Sequence, residues 1–99
     1  MSLATLALWL YTLAVSTLNA MLDLKRRLGK AIRRLRLERK VGQERFAHDV
    51  GLHRVTMARV EKGADISIST LEKIAEGLGI SAAELVRQAE EEGRRKKAP

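Results

Sequence analysis

The chain has 99 residues, enough for one small domain and not for two of ordinary size. It is 45% hydrophobic and 31% charged, with three aromatics and one proline, which argues against a β-sandwich and for helices. The absence of cysteine excludes a disulfide framework, a thiolate zinc site and a cysteine nucleophile, while a net charge of +7 points to a polyanionic partner, nucleic acid or an acidic membrane surface.

The averages conceal a split. Residues 1–22 carry no charge and hold two of the three aromatics, Trp9 and Tyr11. Residues 3–22 form an uncharged run rich in Leu and Ala, long enough to cross a bilayer core as a helix. A secretory signal is disfavoured, because no Lys or Arg precedes the run. As a membrane anchor, the run would be held by Lys25, Arg26, Arg27 and Lys30 with the charged domain on the cytoplasmic side. Thr5, Thr12, Ser16 and Asn19 share one helical face, the weak amphipathicity of a packing or self-associating helix. An upstream extension of a chain that starts at Met21 is the third reading. Residues 1–22 are therefore treated as a separate segment, an extra apolar N-terminal helix that offers a contact to a membrane or a partner protein.

Asp23 is predicted to cap a helix over residues 24–39, with Leu24, Leu28, Ile32 and Leu35 inward and Arg26, Arg27, Lys30, Arg33 and Arg34 outward. A short helix over 43–50 places Phe46, Ala47 and Val50 inward, and Gly51 sits where a tight turn needs positive φ. A third helix over 54–62 points Met57 and Val60 inward and stops at Gly63. Ser69 with Glu72, or else Ser67, caps a fourth helix ended by Gly79. Ser81 with Glu84 caps a fifth helix carrying Leu85, Val86 and Ala89. Residues 90–99 lack apolar periodicity and read as a charged, disordered tail. The expected fold is all-α, with five short helices over residues 23–89.

The run LGKAIRRLR, then GQERFAHDVGLHRVTMARVEKG, then SISTLEKIAEGLGISAAEL resembles the Cro/C1-type helix-turn-helix family of lambda-repressor-like domains. The resemblance covers roughly residues 24–86. It implies that the third helix enters the major groove and that Arg54, Val55, Thr56, Ala58 and Arg59 meet base edges. It implies a phosphate contact for Gln43, with Lys62, Ser69 and His53 as further candidates. It also implies a structural salt bridge between Arg36 and Glu61. Lys40 stands where the family often has glycine, Gly42 where it has a Ser or Thr cap, and His53 where it has Ser or Thr.

An enzyme is disfavoured. His48 and His53 are five residues apart and do not stack on one helical face as metal ligands, and no phosphate loop, paired carboxylates or nucleophile motif is present. No metal or cofactor is expected. Residues 25–45 hold ten basic and two acidic residues, whereas residues 64–93 hold two basic and seven acidic. The function expected is a sequence-specific DNA-binding regulator, a repressor and homodimer on double-stranded DNA, with its dimer surface around Val86 and Ala89. It would be cytoplasmic and nucleoid-associated, or tethered to a membrane on its cytoplasmic face. The rival class is an interaction module, either an antitoxin that binds a protein or a membrane-tethered scaffold.

Overall fold

A computed structural model describes residues 2–95, and the side chains of all of these except 19–22 and 93–95. Five helices follow in order: α1 (Leu3–Glu38), α2 (Gln43–Asp49), α3 (Arg54–Glu61), α4 (Ile68–Leu78) and α5 (Ala82–Arg95). The described residues contain no strand.

The first correction concerns the leader, which is not a separate helix. It runs without a break into the charged domain as the first half of the 36-residue α1. Asp23 therefore does not cap a helix; it lies inside one and pairs with Arg27 at 2.6 Å, one turn on. The physical reason is simple. A cap is needed only where the preceding backbone leaves helical geometry, and residues 19–22 give it no reason to leave. The cap of α1 is Ser2, whose Oγ accepts from the Thr5 N–H at 3.2 Å.

The other helix starts follow local chemistry. Ser67, not Ser69, caps α4, accepting from the Thr70 N–H at 3.1 Å. Ser81 caps α5 by accepting from the Glu84 N–H at 3.0 Å. Gly42 precedes α2 with no side-chain cap bond.

The core is assembled from one stripe of each helix. Leu28, Ala31 and Ile32 of α1 meet Phe46 and Ala47 of α2, Met57 and Val60 of α3, four residues of α4, and Leu85 and Ala89 of α5. Ile32, Met57, Ile74, Leu78 and Leu85 are fully buried; each stabilises the fold by about 1.5–3 kcal/mol relative to exposure. Leu24, expected inward, is exposed. Ala89 is completely buried within this chain, chiefly because α5 lies along the second half of α1. Ala89, expected at a dimer surface, is thus core packing within the chain, whereas Val86 is only partly buried against that core.

The expected tail also starts too early. Helix α5 continues to Arg95, and Glu92 is buried, accepting from Arg34 Nε across to α1. Arg34 also donates to Gln88 at 2.8 Å and to Glu38 at 3.1 Å, so it clamps α1 to α5 rather than facing outward. Burial lowers the Arg34 pKa, and the bonds to Glu92 and Glu38 more than offset it, so the net shift is upward. Residues 96–99 of the expected tail lie outside the described residues.

One helix end is strained. After α1 the Lys40 N–H reaches Leu37 O at 2.9 Å and the Val41 N–H reaches Arg36 O at 3.4 Å, a closure that places Lys40 at φ 58°. A side chain there carries a steric penalty that glycine lacks. Lys40→Gly is expected to stabilise the domain by about 1 kcal/mol, read as a higher midpoint in urea; a lower midpoint would contradict the assignment.

Candidate nucleic-acid interface

The motif is built from α2, its turn and α3. Ala47 is buried where the two helices cross, and Gly51 takes φ 75° in the turn between them. The small side chain lets the helices approach, and the glycine takes a left-handed conformation that most residues avoid. Leu52 packs on the core from the same turn.

His53 then caps α3, its Nδ1 accepting from the Val55 N–H at 3.3 Å. An imidazole accepting on Nδ1 carries its proton on Nε2, which leaves a donor on an exposed residue. Sequence reasoning missed this capping role, although the signal was present: His53 occupies the place of a Ser or Thr.

Helix α3 has two faces. Met57 and Val60 are buried in the core. Arg54, Val55, Thr56 and Arg59 are exposed, and Val55 leaves 46% of its surface open. An aliphatic side chain set among two arginines and a threonine is suited to reading base edges: guanidinium to guanine, methyl to methyl. Arg54 lies 3.8 Å from Glu44 of α2, but both are exposed, so this pair restrains Arg54 weakly.

Beside this face, Ala58, Lys62 and Gln43 line a polar depression of about 360 Å³ together with Arg33, Arg36 and Glu61. In it, Arg36 Nε and Nη2 donate to the two Glu61 oxygens at 2.8 and 2.9 Å, and Nη1 donates to Val41 O at 2.8 Å. Both side chains are almost wholly buried. The bonds to Glu61 raise the Arg36 pKa above the ordinary guanidinium value and outweigh the opposing effect of burial. Gln43 Nε2 donates to Glu61 Oε1 at 3.1 Å, which ties the first residue of α2 to the last of α3.

The structure thus brings Gln43, Ala58 and Lys62 together and adds Arg33, which the sequence reading placed only on an outer face. Ser69 sits apart from that depression, exposed on the first turn of α4 with its Oγ 3.3 Å from Ser67 Oγ. Gly29 also escaped the sequence reading. It lies in α1 where a Cβ would stand 2.6 Å from Val60 O and 2.7 Å from Glu61 O, so its bareness sets how closely α3 seats on α1.

Comparison with known proteins agrees with this geometry. A helix-turn-helix family model matches residues 32–85. The control protein C.MunI of Mycoplasma sp is 39% identical over 72 residues, which cover 71% of this chain and 97% of that protein. A crystal structure of a variant of the restriction-modification controller protein C.Esp1396I superposes with a TM-score of 0.64 at 28% identity, covering 71% of this chain and 95% of that one. The clp gene regulator ClgR of C. glutamicum gives a TM-score of 0.64 at 25% identity, over 68% of this chain and 87% of that one. The chain belongs to the Cro/C1-type helix-turn-helix family of DNA-binding transcription regulators, a family that is not enzymatic.

Proposed function

We propose that the chain is a sequence-specific regulator of the controller-protein type, which represses transcription as a homodimer on a two-fold DNA site. The observation that carries this reading is the outward face of α3, where Arg54, Val55, Thr56 and Arg59 are exposed while Met57 and Val60 anchor the helix from behind. In this reading those four residues and Ala58 meet base edges, and Gln43, His53, Lys62 and Ser69 hold phosphates. Similarity to the control protein C.MunI along nearly all of that protein, and to the restriction-modification controller protein C.Esp1396I, supports control of a restriction-modification system as the biological setting. The regulator acts in the cytoplasm, where the DNA is.

The test is selection of bound sites from random DNA by the purified chain. Enrichment of a two-fold sequence, with half-sites about one helical turn apart, is the expected result. Absence of any enriched sequence would contradict the proposal. Lys62→Ala is expected to weaken binding to the selected site and to random DNA alike. It should also reduce the slope of log affinity against log salt by about 1; a loss confined to the selected site would remove Lys62 from the phosphate set.

A further inference from the structure

The described side chains at the start of α1, residues 2–18, lie open to solvent. Leu3, Leu8, Trp9 and Tyr11 each leave more than half of their surface open, at 86%, 66%, 59% and 69%. At about 100° per residue, the large apolar side chains of this stretch occupy an arc of about 260°. A second copy of the helix would cover one seam. If Leu3, Leu6, Leu10 and Leu13 filled that seam, Leu8, Tyr11, Val15 and Leu18 would still face water on the opposite side. A lipid environment covers the whole circumference at once.

The polar side chains fit the same environment. The Thr12 hydroxyl donates to Leu8 O at 3.0 Å and the Thr17 hydroxyl donates to Leu13 O at 2.9 Å. Ser2 and Thr5 bond each other at 2.8 Å. These hydroxyls have partners within the helix, so hydrocarbon leaves them unpenalised. Residues 3–22 span about 30 Å as a helix, the thickness of a bilayer core. Arg26 follows at about 6 Å beyond that span, at the depth of phospholipid headgroups. Lys25, Arg27 and Lys30 surround it in sequence; Lys25 pairs with Asp65 and Arg27 with Asp23, and the flank still carries an excess of positive charge, complementary to anionic lipid.

We infer that residues 3–22 cross an anionic phospholipid bilayer and hold the DNA-binding domain on its cytoplasmic face, the side that basic flanks favour. The chain is then a membrane-attached regulator whose continuous α1 joins the bilayer to the α3 seat.

The test uses the full chain and its own reporter. Trp9 is the one tryptophan in the sequence and lies within the span. The chain is mixed with vesicles of phosphatidylcholine and phosphatidylglycerol, washed in alkaline carbonate, and floated. The expected result is flotation that survives the wash, with Trp9 emission shifted to the blue and quenched by acyl-brominated lipid. Leu8→Lys with Leu13→Lys places charges on opposite faces of the span, away from the domain. It is expected to lower the vesicle-bound fraction by at least about a hundredfold while DNA binding is retained. Three results would overturn the inference: wild type remaining in the aqueous fraction, whether monomeric or self-associated; release by salt with Trp9 unquenched; or equal flotation of the double variant. DNA binding is measured on the same samples, so failure of the membrane reading is distinguishable from failure of the regulatory one.

Discussion

Replacing Arg36 with alanine is expected to destabilise the domain by about 3–5 kcal/mol, the largest effect of any single substitution considered. Arg36 is 6% exposed, and its removal leaves the nearly buried Glu61 carboxylate with the neutral Gln43 amide as its remaining side-chain partner among the described residues. The Val41 carbonyl loses its side-chain donor as well. Small domains have about 5–15 kcal/mol in total, so a large share of the variant is unfolded at physiological temperature. The ion pair itself is not the source of this loss. Most of it comes from the orphaned charge, so Arg36→Met combined with Glu61→Met is expected to recover most of the stability. Urea denaturation of the two singles and the double measures the cycle. An Arg36→Ala midpoint equal to wild type would show that Glu61 is solvated after all, and the description of the α1–α3 junction would be wrong.

Gly29→Ala is the second large effect, and its sign is opposite to the usual one. Alanine in place of glycine inside a solvent-facing helix stabilises by about 0.5–1 kcal/mol. At Gly29 the added carbon meets the main-chain oxygens of Val60 and Glu61, both closer than real Cβ atoms come. Main chain does not swing aside as a side chain does, so α3 must retreat from α1 as a unit. The expected loss is about 2–3 kcal/mol, with weakened DNA binding because the retreating helix carries Arg54 and Arg59. The substitution touches the same junction as Arg36, so its effect is not additive with Arg36→Ala. A variant as stable as wild type, or more stable, would contradict the close approach.

What was legible in the sequence follows the range of the chemistry involved. Helix α3, expected over 54–62, runs from Arg54 to Glu61, because its boundaries depend on a turn glycine, a cap and a stop within a few residues. The Ser81 cap is likewise local, and its pairing with the Glu84 N–H depends on nothing outside α5. Long-range contacts were not legible. Glu92 looked like one charge in a polar tail, because its partner Arg34 is 58 residues away. Gly29 looked like an unremarkable helix glycine, because what it meets is the backbone of another helix. Periodicity marked Val86 and Ala89 as one apolar face without indicating that Ala89 is buried within the chain while Val86 stays partly open. Asp23 failed differently. Aspartate is a good cap, but a cap acts only where a helix begins, and α1 had begun at Leu3.

For the candidate site, spacing separated the inward residues of α3 from the outward ones, and that division needs only helical geometry. The roles of Arg54, Val55 and Arg59 came from the family resemblance. The depression that brings Arg33 beside Gln43 and Lys62 required three helices to be placed in space. The leader was the hardest part to read. Its composition announced an unusual segment, but whether the segment packs on its own domain is a tertiary fact, and in the structure its described side chains lie open to solvent.

The central claim is that the exposed face of α3 reads DNA sequence. The most direct measurement compares wild type with Arg54→Ala plus Arg59→Ala on the selected site and on random DNA, at one salt concentration. Each bidentate arginine–guanine contact is worth about 1–3 kcal/mol of discrimination. The double variant is therefore expected to lose about 2–6 kcal/mol of preference for its site, with its thermal unfolding unchanged. Undiminished preference for the selected site in a folded double variant would contradict the account.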